Sequence, residues 1–198
     1  MQQPSSAQEG FVKMYADKPP WDIGRPKAPF IAIADQVTGP VLDAGCGTGD
    51  TSLYFAARGL RVTGIDFVEE AIRRARAKAT ERCLSVEFLI KDAMTLIDWN
   101  ERFASVIDSG LFHVYSGFDR ERYVKGLTHV TMPGGRLFLY CFSDEEPKAP
   151  DGGVSRQDLY DAFAEGWDVE SVQSSAEFPE DPEGGGLKMR FAVIRRKG

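Results

Sequence analysis

Cysteine is scarce in this 198-residue chain, which holds Cys46, Cys83 and Cys141 and no C-x-x-C pair. A disulfide scaffold is thereby excluded, and no metal is expected, because no ligand spacing exists for one. Histidine is scarcer still, with His113 and His129 alone. No run approaches the roughly 18 apolar residues of a membrane span, and the polar residues 1–10 lack the basic-then-apolar layout of a secretion signal. Basic charge is not in excess either: 24 Lys and Arg against 30 Asp and Glu leave a formal charge of −6. A nucleic-acid or anionic-membrane surface would need a basic stripe. The G-K-[ST] of a phosphate-binding P-loop is also missing. What remains is 42% hydrophobic with 13 Phe, 6 Tyr and 3 Trp, enough for one packed core and, at this length, one domain. The expectation is a soluble, cytoplasmic domain whose partner is a small molecule, with no nucleic acid and no membrane.

Proline punctuates the N-terminal part at Pro19, Pro20, Pro26 and Pro29. No helix runs through that spacing, since each ring removes a donor and restrains its predecessor. Tyr15 and Trp21 favour an ordered arm there, while the first ten residues are expected to fray. Phe30, Ile33, Ala34 and Val37 then share a helical face. From Val41 onward strand and helix alternate. Strands are read at 41–44, 61–65, 86–90, 103–107 and 136–142. Helices pass through Leu53 and Phe55, over 69–82 with Ala71, Ile72, Ala75 and Ala79 inward, around Tyr123, Val124, Leu127 and Val130, and over 155–165 with Ser155 as N-cap. Met132-Pro133-Gly134-Gly135 reads as a turn. Two further strands, near 167–172 and 187–194, have little helix between them and suggest an antiparallel edge. The fold class is α/β: a doubly wound, mostly parallel seven-stranded sheet with an antiparallel edge strand.

Open sheets of this kind bind ligands outside the carboxyl ends of their strands. Asp43, Asp66, Asp92 and Asp108 each fall within or just after a predicted strand, around one crevice. Gly45-Cys46-Gly47-Thr48-Gly49 follows the first strand, and alternate glycines allow positive φ and a close ligand approach. Asp66 lies 21 residues beyond Gly45, a suitable place for a carboxylate accepting ribose hydroxyls. A nicotinamide dinucleotide fingerprint would put Gly or Ala where Asp50 stands. A loop flanked by Asp43 and Asp50 suits a ligand with positive charge and no phosphate, which disfavours an oxidoreductase.

VLDAGCGTG, with Asp66 and Asp92 after the next strands and MPGGRLFLY before the fifth, resembles the motifs of class I S-adenosylmethionine-dependent methyltransferases over roughly residues 40–142. The resemblance implies a Rossmann-like methyltransferase fold and S-adenosyl-L-methionine as cofactor. It places Gly45, Cys46, Gly47, Thr48 and Gly49, beside Asp43, along the methionine and ribose parts. It puts Asp66 on the ribose hydroxyls, Phe67 against the adenine and Asp92 on the adenine amino group, with Ala93 alongside. Asp108, Ser109 and Gly110 would border the methionine moiety with their backbone. Asp92 and Asp108 have an alternative as caps of the turns that follow them. A shorter stretch, PPWDIGRPKAPF, is similar to the W-D-x-G-R segment of thiol and halide methyltransferases, relatives of the thiopurine enzymes. It also resembles bacterial enzymes that methylate heterocyclic toxins. In that group a tryptophan-bearing N-terminal segment covers the cofactor, which implies a lid over residues 1–29 on a single domain over 30–198. Trp21 would cover the ligand or staple the arm, and Arg25 would meet the cofactor carboxylate or brace the arm.

The Asn/Asp-Pro-Pro-Tyr/Phe run of many methyltransferases acting on nucleobase or protein amino groups is replaced here by Asp108-Ser109-Gly110-Leu111. The expected acceptor is therefore a small, heteroaromatic molecule methylated on O, N or S, with Trp21, Phe112, Tyr115 and Phe118 enclosing it. A thiol or halide methyltransferase and a non-catalytic cofactor-binding protein are the alternatives. His113 is the candidate catalytic base or acceptor orienter, or else a hydrogen-bonded loop residue; Tyr15 and Tyr115 are weaker candidates. His129 suits a helix end. Arg73, Arg74, Arg76 and Lys78 are expected on a solvated helix face, the three cysteines in or near the core, and residues 144–153 and 178–186 in surface loops, the first able to close over substrate.

Overall fold

The apolar runs of the sequence line up as the strands of one sheet. A computed structural model of the chain describes residues 6–174 and 186–198, so the loop expected at 178–186 lies outside the described residues except for Gly186. The strands are β1 (Val41–Ala44), β2 (Val62–Asp66), β3 (Glu87–Ile90), β4 (Phe103–Ser109), β5 (Thr131–Phe142), β6 (Trp167–Ser174) and β7 (Met189–Arg196). Their order is β3-β2-β1-β4-β5-β7-β6. Strands β1 to β5 pair in parallel, and β7 runs antiparallel between β5 and β6, one place in from the edge. The chain winds outward from β1 to β3 and starts again at β4. The direction of winding therefore reverses between β1 and β4, and a crevice opens at their carboxyl ends.

Six helices flank the sheet: α1 (Ser6–Met14), α2 (Ala28–Ala32), α3 (Asp50–Ala57), α4 (Glu69–Glu81), α5 (Gly117–Val130) and α6 (Arg156–Ala162). All four residues of β1 are buried, as a parallel strand covered on both faces requires. On one face Leu42, Ile65, Val106 and Leu139 pack with Phe112, Tyr123 and Leu127. On the other, Val41, Val62, Ile107 and Phe138 pack with Phe30, Phe55 and Phe191. Ser155 caps α6 in a reciprocal box, its Oγ accepting from the Asp158 amide at 3.0 Å while its own amide donates to Asp158 Oδ2 at 2.7 Å. Among the described residues no helix is long and apolar enough to cross a membrane.

Some expectations about the elements fail. Of the ten residues expected to fray, 6–10 belong to the helix Ser6–Met14, because Phe11 and the following Tyr15 have Phe67, Val68 and Ala71 to pack against; residues 1–5 lie outside the described residues. The 132–135 turn sits inside β5: its pairing with β4 jumps from Phe103–Thr131 to Ser105–Arg136, so those residues bulge from the ladder. Cys83 is exposed, not in the core, since it follows the end of α4 with φ +53°, the left-handed position at which helices commonly close.

Candidate active site

Where β1 ends, three glycines take φ values that side chains resist: +71° at Gly45, +54° at Gly47 and +82° at Gly49. A Cβ on Gly47 would stand 2.7 Å from the Tyr15 hydroxyl, and one on Gly49 2.7 Å from the Phe88 ring. Asp66, at the end of β2, ties this loop to its own strand. Its carboxylate accepts from the Gly47 amide at 3.0 Å and the Val68 amide at 2.9 Å. The Phe67 amide adds a third bond, and the carboxylate keeps acceptor capacity for a ligand hydroxyl. Burial raises the Asp66 pKa against the pull of those amides. Asp43 is wholly buried behind the loop and accepts from Ser52 Oγ at 2.5 Å; burial pushes its pKa up to about 7 although the Ser52 bond opposes this.

Above the strand ends lies a cavity of about 590 Å³, within the range of about 300–1,000 Å³ that small-molecule sites occupy. All the sequence-derived cofactor residues line it except Asp92 and Asp108. Those two carboxylates serve turns. Asp92 caps the 3-10 turn Ala93–Asp98 by accepting from the Met94 amide at 2.9 Å. Asp108 is buried in the core, where it accepts from the amides of Leu111 and Phe112 at 2.8 and 3.2 Å and from the Tyr123 hydroxyl at 2.9 Å. Burial lifts its pKa to about 6 against those bonds. The capping alternative is thus what the geometry displays at both positions.

The arm supplies one wall. Phe11, Met14, Tyr15 and Trp21 border the cavity, Trp21 Nε1 donates to the Tyr15 hydroxyl at 3.2 Å, and the Trp21 ring stands edge-on to Phe11 and Tyr15 at 5.8 and 6.1 Å. The basic side of α4 holds this arm, contrary to the expectation of a solvated face. Arg74 donates to the backbone carbonyls of Tyr15 and Asp17 at 2.9 and 3.0 Å. Lys78 donates to Thr48 and Asp50, each at 2.7 Å, and lies 3.7 Å from Asp22. Arg76 reaches the Phe88 carbonyl at 2.6 Å, while Arg73 stays at the surface beside Glu70. Asp50 is therefore paired, with Lys78 and also with Arg82 at 3.4 Å. Its charge is not presented bare to a ligand, and the sequence argument that it repels phosphate loses its force.

Further walls are Leu111, Val114, Tyr115, Tyr140, Phe142, Leu187 and Met189, with His113 among them. The His113 ring is 9% exposed and edge-on to Phe142 at 4.8 Å, and its Nδ1 accepts from the Phe142 amide at 3.4 Å. Burial, helped by the Arg120 guanidinium, holds its pKa down at about 4. Burial also pushes the Tyr15 and Tyr115 hydroxyls well above their ordinary range. Two expected wall residues are elsewhere: Phe112 stacks on Phe163 in the core at 5.7 Å, and Phe118 is 76% exposed and outside the cavity. The loop after β5 does reach the site, through Asp151. It is tied down by Arg190, which donates to the Val154 carbonyl at 2.9 Å and pairs with Asp144. Tyr140, Phe142, Leu187 and Met189 were not foreseen; the 11, 14, 15 spacing of Phe11, Met14 and Tyr15 was a readable helical signal. His129 Nε2 meets the Trp99 carbonyl at 2.9 Å near the end of α5, as a helix-end histidine does. Among the described residues no group of three or more metal-ligating side chains comes together.

Residues 41–135 match a family described as a methyltransferase domain. A 2-heptyl-1-hydroxyquinolin-4(1H)-one methyltransferase of Mycobacteroides abscessus is 34% identical over 190 residues, 92% of this chain and 83% of that protein. A protein solved in work on the conversion of a disulfide bond into a thioacetal group during echinomycin biosynthesis superposes with a TM-score of 0.81 at 32% identity, over 96% of this chain and 92% of the other. The Burkholderia thailandensis 1,6-didemethyltoxoflavin-N1-methyltransferase, solved with 1,6-didemethyltoxoflavin and S-adenosylhomocysteine, shares the fold with a TM-score of 0.75 at 21% identity, over all of this chain and 94% of that one.

Proposed function

The chain belongs to the class I S-adenosylmethionine-dependent methyltransferases, and from that premise we propose that it methylates a nucleophilic O, N or S atom of a small heteroaromatic molecule. Its cofactor is S-adenosylmethionine, and the glycine-loop end of the cavity has the chemistry to hold it. Asp66 retains lone pairs for ribose hydroxyls, Phe67 and Ala93 offer apolar surface to a purine, and the glycines let backbone approach closely. Bound there, the cofactor supplies a methyl group made electrophilic by a sulfonium. The chain's own share is placement and exclusion of water. Ser109 and Gly110 line the same cavity, and the arm, a lid whose described part is residues 6–29, closes over it with Tyr15 and Trp21.

The observation that carries the acceptor class is the cavity wall beside His113, the acceptor end in this reading, to which Tyr140, Phe142 and Met189 bring aromatic and apolar side chains. Hydroxyquinolinone and didemethyltoxoflavin, named for two of the similar enzymes, are flat heterocycles of that kind. A thiol or halide acceptor outside any heteroaromatic ring is the second reading, its sulfur form favoured by the neighbour from thioacetal formation. The cysteines are unpaired, which suits the reducing cytoplasm proposed as its location.

Calorimetric titration with S-adenosylmethionine, S-adenosylhomocysteine and NAD comes first. Saturable binding is expected for the first two alone. Release of S-adenosylhomocysteine is then measured with hydroxyquinolinones, ring N–H heterocycles, thiols and halides. Fastest turnover of the heterocycles supports the proposal, thiols or halides in the lead favour the second reading, and binding without turnover of any acceptor marks a non-catalytic binder.

A further inference from the structure

A heteroatom that still carries its proton must lose it before or during transfer, so the groups around the acceptor end decide the route. His113 is the imidazole at that end. Its Nδ1 accepts the Phe142 amide hydrogen, so the neutral ring carries its own hydrogen on Nε2. Held this way, one ring nitrogen already accepts and the other is already protonated, which leaves neither to take a proton from substrate. The elements packed against the ring add no relief. Arg120 on α5 disfavours a second proton, Tyr140 and Phe142 of β5 are uncharged, and Asp108 at the end of β4 is turned into the core. Asp151 sits on the facing turn Pro150–Gly152 and is exposed. The other carboxylates of the cavity have partners of their own: Asp66 the Gly47 and Val68 amides, Asp43 Ser52, Asp50 Lys78, and Asp22 the same lysine at 3.7 Å.

We propose that the acceptor enters this site as an anion, the conjugate base of a heteroaromatic O–H, N–H or S–H group, and that His113 orients it as an Nε2–H donor instead of deprotonating it. The inference rests on the methyltransferase reading of the site given above. The proton leaves to water before binding. In the transfer a lone pair of the anion forms the bond to the methyl carbon, the carbon–sulfur bond breaks, and its electron pair stays on sulfur. An anion and a sulfonium thus become two neutral centres with no proton moved, a change that a water-poor cavity favours because the charged reactants lose hydration there and the neutral products have little to lose. The substrate class narrows accordingly, to heterocycles acidic enough to ionise near neutral pH.

The test uses the full chain and a series of ring-substituted 1-hydroxyquinolin-4(1H)-ones that differ in acidity. Absorption difference spectra are recorded with S-adenosylhomocysteine bound, and pH profiles of kcat/KM with S-adenosylmethionine. The bound chromophore is expected to show the anion's spectrum, and the acidic inflection of kcat/KM to move with each acceptor's own pKa. His113→Ala is expected to raise the acceptor KM about ten- to hundredfold, the worth of a hydrogen bond to a charged group, with the inflection still following the acceptor. His113→Gln, which keeps an N–H near the Nε2 position, should recover part of that loss. Turnover of an acceptor bound in its neutral form, or one inflection shared by all acceptors and abolished in His113→Gln or Asp151→Asn, would overturn the inference and leave the methylation reading standing. If no compound binds beside S-adenosylhomocysteine, the heteroaromatic reading falls and this inference falls with it.

Discussion

Asp43 stands behind the glycine loop with its pKa moved from 3.8 to about 7 by burial. The folded chain therefore keeps a proton that the unfolded chain releases, so the Asp43 contribution to stability is full below about pH 4 and is lost as pH rises through 7. His113 has the opposite sign. Its pKa falls from 6.5 to about 4, so its contribution is full above pH 6.5 and is lost as pH falls through 4. The two windows overlap, and the melting curve of the native protein blends them. Comparison with Asp43→Asn separates them: between pH 4 and 7 the melting temperature of the variant is expected to gain steadily on that of the native chain. A difference that stays flat would mean that Asp43 is ionised in the fold throughout. Asp66 makes the second prediction at this scale. Asp66→Ala is expected to weaken S-adenosylmethionine binding by about tenfold or more, about 1.4 kcal/mol, in calorimetry. A change within about threefold would remove Asp66 from the ribose.

Helix α4 illustrates what periodicity can and cannot tell. The alanine-rich stripe through Ala71, Ile72, Ala75 and Ala79 is buried as its spacing requires, because the 3.6-residue repeat fixes which side chains share a face. The same repeat says nothing about what lies against the other face, and there Arg74 and Lys78 meet the arm and the glycine loop from residues 57 and 30 positions away in the chain. The loop after β4 failed for a related reason. Sequence put Phe112, His113 and Tyr115 all at the mouth, but the 3-10 turn Phe112–Val114 sends Phe112 into the core and leaves His113 at the cavity. Two substitutions test this scale. Arg74→Met is expected to raise the S-adenosylmethionine Kd about three- to tenfold, a discounted value for a partly exposed cation on carbonyls, and to make residues 15–27 more sensitive to protease. Unchanged proteolysis would show the arm to be held without Arg74. Ser155→Ala, which breaks the capping box of α6, is expected to cost about 1 kcal/mol in denaturant unfolding while cofactor affinity stays as it was.

The sheet as a whole decides which strand ends surround the ligand. Its parallel half was legible, since each strand was followed by a helix and an acidic or glycine-rich turn. Its far half was not: the sequence announced two closing strands but not that β7 inserts between β5 and β6. Antiparallel pairing there sets Met189 opposite Phe142, which brings the start of β7 to the end of β5 and makes both strands walls of the cavity. Seven strands with α2 to α6 constitute a complete two-faced core, whereas α1 and the arm add a small cluster of their own. Removal of residues 1–27 is therefore expected to leave one cooperative thermal transition and to weaken S-adenosylmethionine binding sharply; loss of the transition would make the arm part of the folding unit. The fastening of that arm has a consequence for descent. Arg74 grips main-chain oxygens, which every amino acid provides alike, so this part of the arm's attachment survives exchange of its side chains, unlike the packing of Phe11 and Tyr15. Substitutions along the arm at Met14 or Trp21 then alter the wall it gives the cavity while that main-chain hold persists, so the enclosure can vary one residue at a time.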